Sequence, residues 1–129
     1  LKARTLTYVD CGHGWACLKH PDGTFEGLDQ GGGLPCAIDD EWGYTAVTVP
    51  LRPGSRAVIV SDGYVEQFGL TVDAAGKPAR EQFGMDGIKK ALSANRADDE
   101  LKALLDAVVQ YAGTPHLSDD ATAIIIRWD

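Results

Sequence analysis

Ala57-Val58-Ile59-Val60-Ser61-Asp62-Gly63-Tyr64-Val65-Glu66 is the stretch that decides the fold. Ala57 to Val60, four successive β-compatible apolar residues, read as a buried strand, and Asp62-Gly63 ends it in a turn. A carboxylate at the exit of a buried strand stands on a rigid support at a sheet rim, where functional residues are commonly displayed. The remaining sequence is read as what surrounds Asp62.

Upstream, Arg4 to Asp10 is rich in β-branched and aromatic residues and predicts a strand. Cys11-Gly12-His13-Gly14 makes a flexible turn, because two glycines permit positive φ. Trp15 to His20 is then expected as the return strand of a hairpin. Pro21-Asp22-Gly23-Thr24 is a strong turn signal before a short strand over Phe25 to Leu28, so the opening third reads as an antiparallel meander. Gln30 to Pro35, with Gly31, Gly32 and Gly33 in succession, is a flexible connector. It has the glycines of a phosphate cradle but no Gly-Lys-Ser/Thr. Tyr44 to Leu51 alternates Thr and Val as a strand, and Arg52-Pro53-Gly54-Ser55 turns it into the central run as a second hairpin.

Downstream, Tyr64 to Phe68 predicts a short helical turn and Gly69 to Gln82 a surface loop. Met85, Ile88 and Leu92 fall at helical spacing, giving a helix from Phe83 to about Ala94. A second helix runs from about Ala97 to Ala112. Leu101, Leu104, Leu105, Val108 and Val109 form its core stripe, Asp98 and Asp99 suit its positive end, and Gly113 and Pro115 stop it. After Ser118-Asp119-Asp120, the segment Ala121 to Trp128 reads as a fully buried strand around Ile124-Ile125-Ile126. The expected class is α+β, with mostly antiparallel strands and two late helices packed on the sheet.

The 129 residues suffice for one domain, and 44% hydrophobic with 24% charged residues is an ordinary globular composition. A net charge of −7 disfavours a nucleic-acid backbone and is compatible with cations. No apolar stretch approaches the ~18 residues of a membrane span and no leader pattern precedes Leu1. The chain opens without Met in strand-like sequence, as expected of part of a longer domain. Three cysteines, Cys11, Cys17 and Cys36, form no Cys-x-x-Cys pair. That count suits free thiols in a reducing cytoplasm, the expected location. Cys11, His13, Cys17 and His20 have no familiar zinc spacing, and along a strand Cys17 and His20 would face opposite ways.

Two features bear on chemistry. Asp62 stands where one buried strand ends, and Asp119-Asp120 where another begins. If those strands are antiparallel neighbours, both sites share a rim. Facing carboxylates repel, and a hard divalent cation such as Mg²⁺ or Mn²⁺ relieves that repulsion and acidifies a water able to attack a phosphoryl group. Asp in Asp-Gly and Asp-Asp is also an ordinary turn or capping residue, and spacing alone leaves both readings open.

The motifs, in order, resemble the metal-dependent protein phosphatases of the PPM (2C-type) family, in the bacterial SpoIIE/RsbU-like branch. Tyr8-Val9-Asp10-Cys11-Gly12-His13 resembles the family's Tyr-Val-Asn-Ala-Gly-His. Gly33-Leu34-Pro35-Cys36-Ala37-Ile38 resembles its Gly-Leu-Pro-Leu-Gly-Ile. Leu51-Arg52-Pro53-Gly54-Ser55 and Ser61-Asp62-Gly63-Tyr64-Val65-Glu66 resemble Leu-x-Pro-Gly-Asp and Thr-Asp-Gly-Val-x-Glu. Phe83-Gly84 opens the late helix as in the family, and Asp119-Asp120-Ala121-Thr122 resembles its closing Asp-Asp-Ile-Thr. The resemblance spans essentially all 129 residues.

It implies a β-sandwich flanked by helices, of which residues 1–129 are the C-terminal portion. A Mg²⁺ or Mn²⁺ pair at one rim would hydrolyse phosphoserine or phosphothreonine on a signalling protein such as an anti-sigma-factor antagonist. Asp62 and Asp119 would be metal ligands, with Gly63, Asp120 and His13 supporting them. The family's bridging carboxylate belongs to an upstream motif with no counterpart here. Asp10-Cys11-Gly12-His13-Gly14 imitates that motif with one residue fewer, and Asp10 as bridging ligand is the less favoured alternative. An upstream sensor domain accords with the branch, and a non-catalytic phosphatase-like binding module is the other functional reading.

Overall fold

In the computed structural model, the described residues are 4–72, 74–94 and 99–128. Eight strands and three helices are found among them: β1 Arg4–Val9, β2 Ala16–Lys19, β3 Phe25–Gly27, β4 Ala46–Leu51, β5 Arg56–Val60, α1 Asp62–Val65, β6 Phe68–Val72, β7 Pro78–Gln82, α2 Gly84–Ala94, α3 Glu100–Ala112 and β8 Ala123–Arg127. The expected α+β class is the one found. Strand order is β1-β4 in one sheet, β3-β2-β5-β8 in a second and β6-β7 in a third. The chain forms two compact units, one running to Ile59 and resuming at Ile126, the other Val60–Ile125.

In the first unit, alternation drives two layers together. Leu18, Leu28 and Ala57 from the larger sheet cluster with Val49 and Leu51 of β4, and Leu6, Tyr8, Val47 and Trp128 close over them. Leu18 is completely buried. Burying such side chains contributes about 1.5–3 kcal/mol each, against the entropy of ordering the strands. The β2–β3 hairpin forms at the predicted Pro21–Thr24 turn, with Cys17 opposite Gly27 and Lys19 opposite Phe25.

The other two hairpins expected in this half are not found. β1 pairs with β4, Arg4 opposite Leu51 and Val9 opposite Ala46, while β2 pairs with β5, Ala16 opposite Ile59. The Asp10–Trp15 segment therefore carries the chain from one layer to the other, its direction set by positive φ at Gly12 and Gly14. Arg52–Ser55 does the same between β4 and β5. It is a corner closed by Ser55 N–H to the Arg52 carbonyl (2.9 Å) and Arg52 N–H to Ser55 Oγ (3.1 Å). A turn signal predicts reversal without saying which layer receives the chain, because hairpins and corners use the same residues.

In the second unit, α2 buries Ile88 and Leu92 and α3 buries Leu104 and Val108, all completely. α3 starts at Glu100, with Asp99 as its cap, accepting from Lys102 N–H at 2.9 Å. It ends at Gly113 in the left-handed region, φ 70°. The expected start near Ala97, and Asp98 with it, lie outside the described residues. The buried stripe is narrower than predicted, since Leu101 and Leu105 are 46% and 45% exposed.

The segment expected as a loop, Gly69 to Gln82, is the β6–β7 hairpin, with Phe68 opposite Gln82 and Leu70 opposite Arg80. Phe68, Leu70 and Val72 supply a period of two, and Gly76, φ 75°, makes the turn. Pro78 sits at the first position of its strand, where it is tolerated. The hairpin is fastened to α3 by Tyr111. Its hydroxyl donates to the carbonyls of Glu81 (3.2 Å) and Gln82 (3.4 Å), and its ring packs on Phe83 at 5.2 Å. Gly69 is needed there, since a Cβ would lie 2.5 Å from the Tyr111 carbonyl oxygen. β8 is not the fully buried strand expected: Ile124 is 51% and Ile126 45% exposed.

Candidate metal centre

The rim begins where β5 stops. Ser61 is extended (φ −79°, ψ 167°) and stands at the N-cap position of α1 with its side chain turned to other partners, so that Asp62 is the first helical residue. Gly63, Tyr64 and Val65 are buried while the Asp62 side chain stays exposed. Asp62 Oδ1 accepts from Gly63 N–H at 2.9 Å.

β5 and β8 are neighbours in the sheet. At their rim end Ser61 N–H donates to the Thr122 carbonyl (2.9 Å), and at the other end Trp128 N–H donates to the Ser55 carbonyl (3.1 Å). The strands are therefore antiparallel. Ser61 Oγ donates to the Asp120 carbonyl (3.1 Å) and accepts from Thr122 N–H (2.9 Å). The serine of Ser-Asp-Gly is thus a clasp between the two Asp-bearing segments.

Asp119 is held on both sides. Its own Oδ1 accepts from Asp120 N–H at 2.7 Å. Before it, Ser118 donates both its N–H and its hydroxyl to Gln67 Oε1, each at 2.9 Å. Gln67 is 6% exposed. Its Nε2 donates to the Phe68 carbonyl (2.9 Å), and its own carbonyl accepts from Phe83 N–H (2.8 Å). A buried amide with its polar atoms engaged is a rigid bracket, since leaving any of them unpaired would be costly.

Asp62 and Asp119 thereby line one cavity of about 280 Å³, together with Glu66, Gln67, Phe68, Arg80 and Ser118. Each carboxylate has one oxygen engaged by an adjacent backbone N–H, and its Oδ2 is free of hydrogen bonds among the described residues. Hard carboxylate oxygens suit Mg²⁺ or Mn²⁺, and Mg²⁺ commonly takes only one or two carboxylates while keeping several waters. The donor chemistry fits such an ion. Among the described residues no three His, Cys, Asp or Glu side chains stand together as a self-sufficient metal cage. The Cys11, His13, Cys17 and His20 set is accordingly not assembled.

Asp120 contributes its backbone, through the Ser61 bond. His13 and Asp10 belong to the first unit, and Asp10 Oδ1 accepts from His13 N–H (3.0 Å) and Gly14 N–H (3.3 Å), closing its own turn. Among the described residues, Cys11, Cys17 and Cys36 form no disulfide. Gln67 and Arg80 were not legible as site residues. A glutamine after a helical turn and an arginine in a polar stretch carry no local signal.

The sequence matches the model of the stage II sporulation protein E (SpoIIE) family over residues 1–129. No curated protein sequence matches the chain. Among solved structures, the SiaA PP2C domain of Pseudomonas aeruginosa is 25% identical, with a TM-score of 0.62, covering 90% of this chain and 44% of that one. The Mn-presoaked phosphatase domain of the cell fate determinant SpoIIE from Bacillus subtilis is 19% identical, with a TM-score of 0.66, covering 99% and 52%. The RsbU and RsbW domains of a Mycobacterium tuberculosis protein are 16% identical, with a TM-score of 0.68, covering 96% and 32%. The chain thus spans about half or less of the length of these structures, and its antiparallel sheets and late helices are part of the PP2C fold. No helix among the described residues is long and apolar enough to cross a membrane. With the match running over its whole length and the same fold in PP2C phosphatase domains, this chain belongs to the SpoIIE family.

Proposed function

We propose that residues 1–129 are the C-terminal portion of a PPM-type phosphatase domain that hydrolyses phosphoserine or phosphothreonine on a bacterial signalling protein. Asp62 and Asp119 are its Mg²⁺ or Mn²⁺ ligands. The observation that carries this reading is the convergence of the two carboxylates, from distant sequence, on one cavity. Family membership and the manganese-soaked B. subtilis relative support it. The exposed face of β8 supports further sequence completing the sandwich.

When bound, the metal supplies a water acidic enough to attack a phosphoryl group. This chain's residues do the positioning. Ser61 and Gly63 hold the two segments in register, Gln67 fixes the approach to Asp119, and backbone N–H groups orient one oxygen of each carboxylate. The bridging carboxylate is supplied from upstream, which makes the 129-residue portion inactive by itself. The substrate is a cytoplasmic phosphoprotein, an anti-sigma-factor antagonist in the branch this chain resembles, with an upstream sensor domain controlling access.

In the full-length chain, Asp62→Asn is expected to abolish phosphopeptide hydrolysis and to weaken Mn²⁺ binding measured by calorimetry, and Asp119→Asn to do the same. Unchanged turnover and metal affinity in Asp62→Asn would overturn the reading. A full-length protein that binds the phosphoprotein without hydrolysing it identifies a non-catalytic binding module instead.

A further inference from the structure

We propose that Arg80 is the residue that binds the substrate's phosphoryl group, a role that rests on the metal-site reading of Asp62 and Asp119. Among the described residues, Arg80 is the one cation lining the cavity shared by those residues, and the other ionisable residues described there are Asp62, Glu66 and Asp119. A guanidinium among three carboxylates would ordinarily settle into an ion pair. Among the described residues it makes none. Its Cζ lies 4.4 Å over the centroid of the ring of Phe68, which lines the same cavity. Stacking on an aromatic face holds a guanidinium in place while leaving its N–H fork available.

The support beneath Arg80 is rigid and shared with the metal site. Phe83 N–H donates to the Gln67 carbonyl at 2.8 Å, anchoring the end of β7, while Gln67 Oε1 anchors Ser118 next to Asp119. Tyr111 fastens Glu81 and Gln82 from the other side. One buried glutamine therefore sets both the Asp119 segment and the strand carrying Arg80. With a divalent cation held by the carboxylates, a phosphate in this cavity would meet both the metal's charge and the planar guanidinium fork. That fork matches a phosphate in a way that a lysine point charge does not.

The test is inorganic phosphate binding to the Mn²⁺-loaded full-length protein by calorimetry, alongside Mn²⁺ affinity, thermal midpoint and phosphopeptide kinetics. Arg80→Gln is expected to weaken phosphate binding and raise KM at least tenfold while Mn²⁺ affinity stays within twofold. Arg80→Lys is expected to recover part of the loss, and Phe68→Leu to weaken phosphate binding about threefold by releasing the guanidinium. Phosphate affinity within twofold of wild type in Arg80→Gln, with Mn²⁺ bound, would overturn the inference alone. So would a parallel fall in Mn²⁺ affinity, or an affinity loss matched by an equal loss in both Arg80→Lys and thermal midpoint. Wild-type protein that takes up neither Mn²⁺ nor phosphate overturns the metal-site reading and this inference together.

Discussion

Gly63 lies directly against the backbone of Asp120: a Cβ on Gly63 would stand 2.3 Å from the Asp120 carbonyl oxygen and 2.8 Å from its carbonyl carbon. That contact lets α1 and the Asp119-Asp120 segment approach closely enough to share a cavity. Because the obstacle is backbone, Gly63→Ala cannot be absorbed by a rotamer change. We expect a loss of about 1–3 kcal/mol or more from overpacking, read as a lower urea midpoint, together with weaker Mn²⁺ binding as the two carboxylates separate.

Gln67 offers a complementary substitution, since it acts through hydrogen bonds. Gln67→Leu keeps the bulk but strands the Ser118 N–H and hydroxyl that now share Oε1. Unsatisfied donors of this kind cost about 1–3 kcal/mol each when they stay buried. The expected result is a destabilisation of about 2 kcal/mol with Asp119 loosened. Amide exchange around Ser118 should accelerate, whereas exchange in β2 should not.

Asp22 provides a pH signature away from the site. Its carboxyl is held below the usual range by the Thr24 hydroxyl (2.6 Å) and Thr24 N–H (3.0 Å), with the Arg52 guanidinium at 3.0 Å and His20 adding less. A folded pKa below the unfolded one means the contribution is fully present above about pH 4. It is lost as pH falls through the lower folded value. Asp22→Asn should therefore be less stable than wild type at neutral pH. The two unfolding midpoints should converge below pH 4, and a constant gap from pH 7 to pH 2 would contradict this.

Cys11 should be a slow thiol. Its pKa is raised first by a hydrogen bond to the Cys36 side chain, then by partial desolvation and the nearby Cys36 and Asp10 charges. The thiolate is the reactive species, so iodoacetamide at pH 8 should alkylate Cys11 more slowly than an unperturbed cysteine. Removing the partner with Cys36→Ala should speed Cys11 modification severalfold, followed by peptide mass spectrometry. Cys17 is fully buried and should remain unmodified until the protein unfolds.

What local chemistry determines in this protein is considerable. The apolar run of β5, the Pro21–Thr24 turn, and α3 with its Asp99 cap and Gly113 stop are all written within a few neighbouring residues, because caps, turns and periodicity act over one turn of chain. The two Asp positions at strand ends were legible for the same reason, as were the short motifs in order.

Tertiary structure decided which strands pair and which faces are covered. Arg52–Ser55 carries an unmistakable turn signal, yet only the layer-to-layer packing makes it a corner instead of a hairpin. The Phe68, Leu70 and Val72 alternation became a strand once Tyr111 and Gln67 fixed the hairpin's base. Ile124 and Ile126 look like core by composition but stand half exposed, because burial depends on what else reaches that face. Gln67 and Arg80 took on their parts only where distant segments met. A side chain's partners across long sequence separation are set by packing, on which the residues beside it in the chain have no bearing.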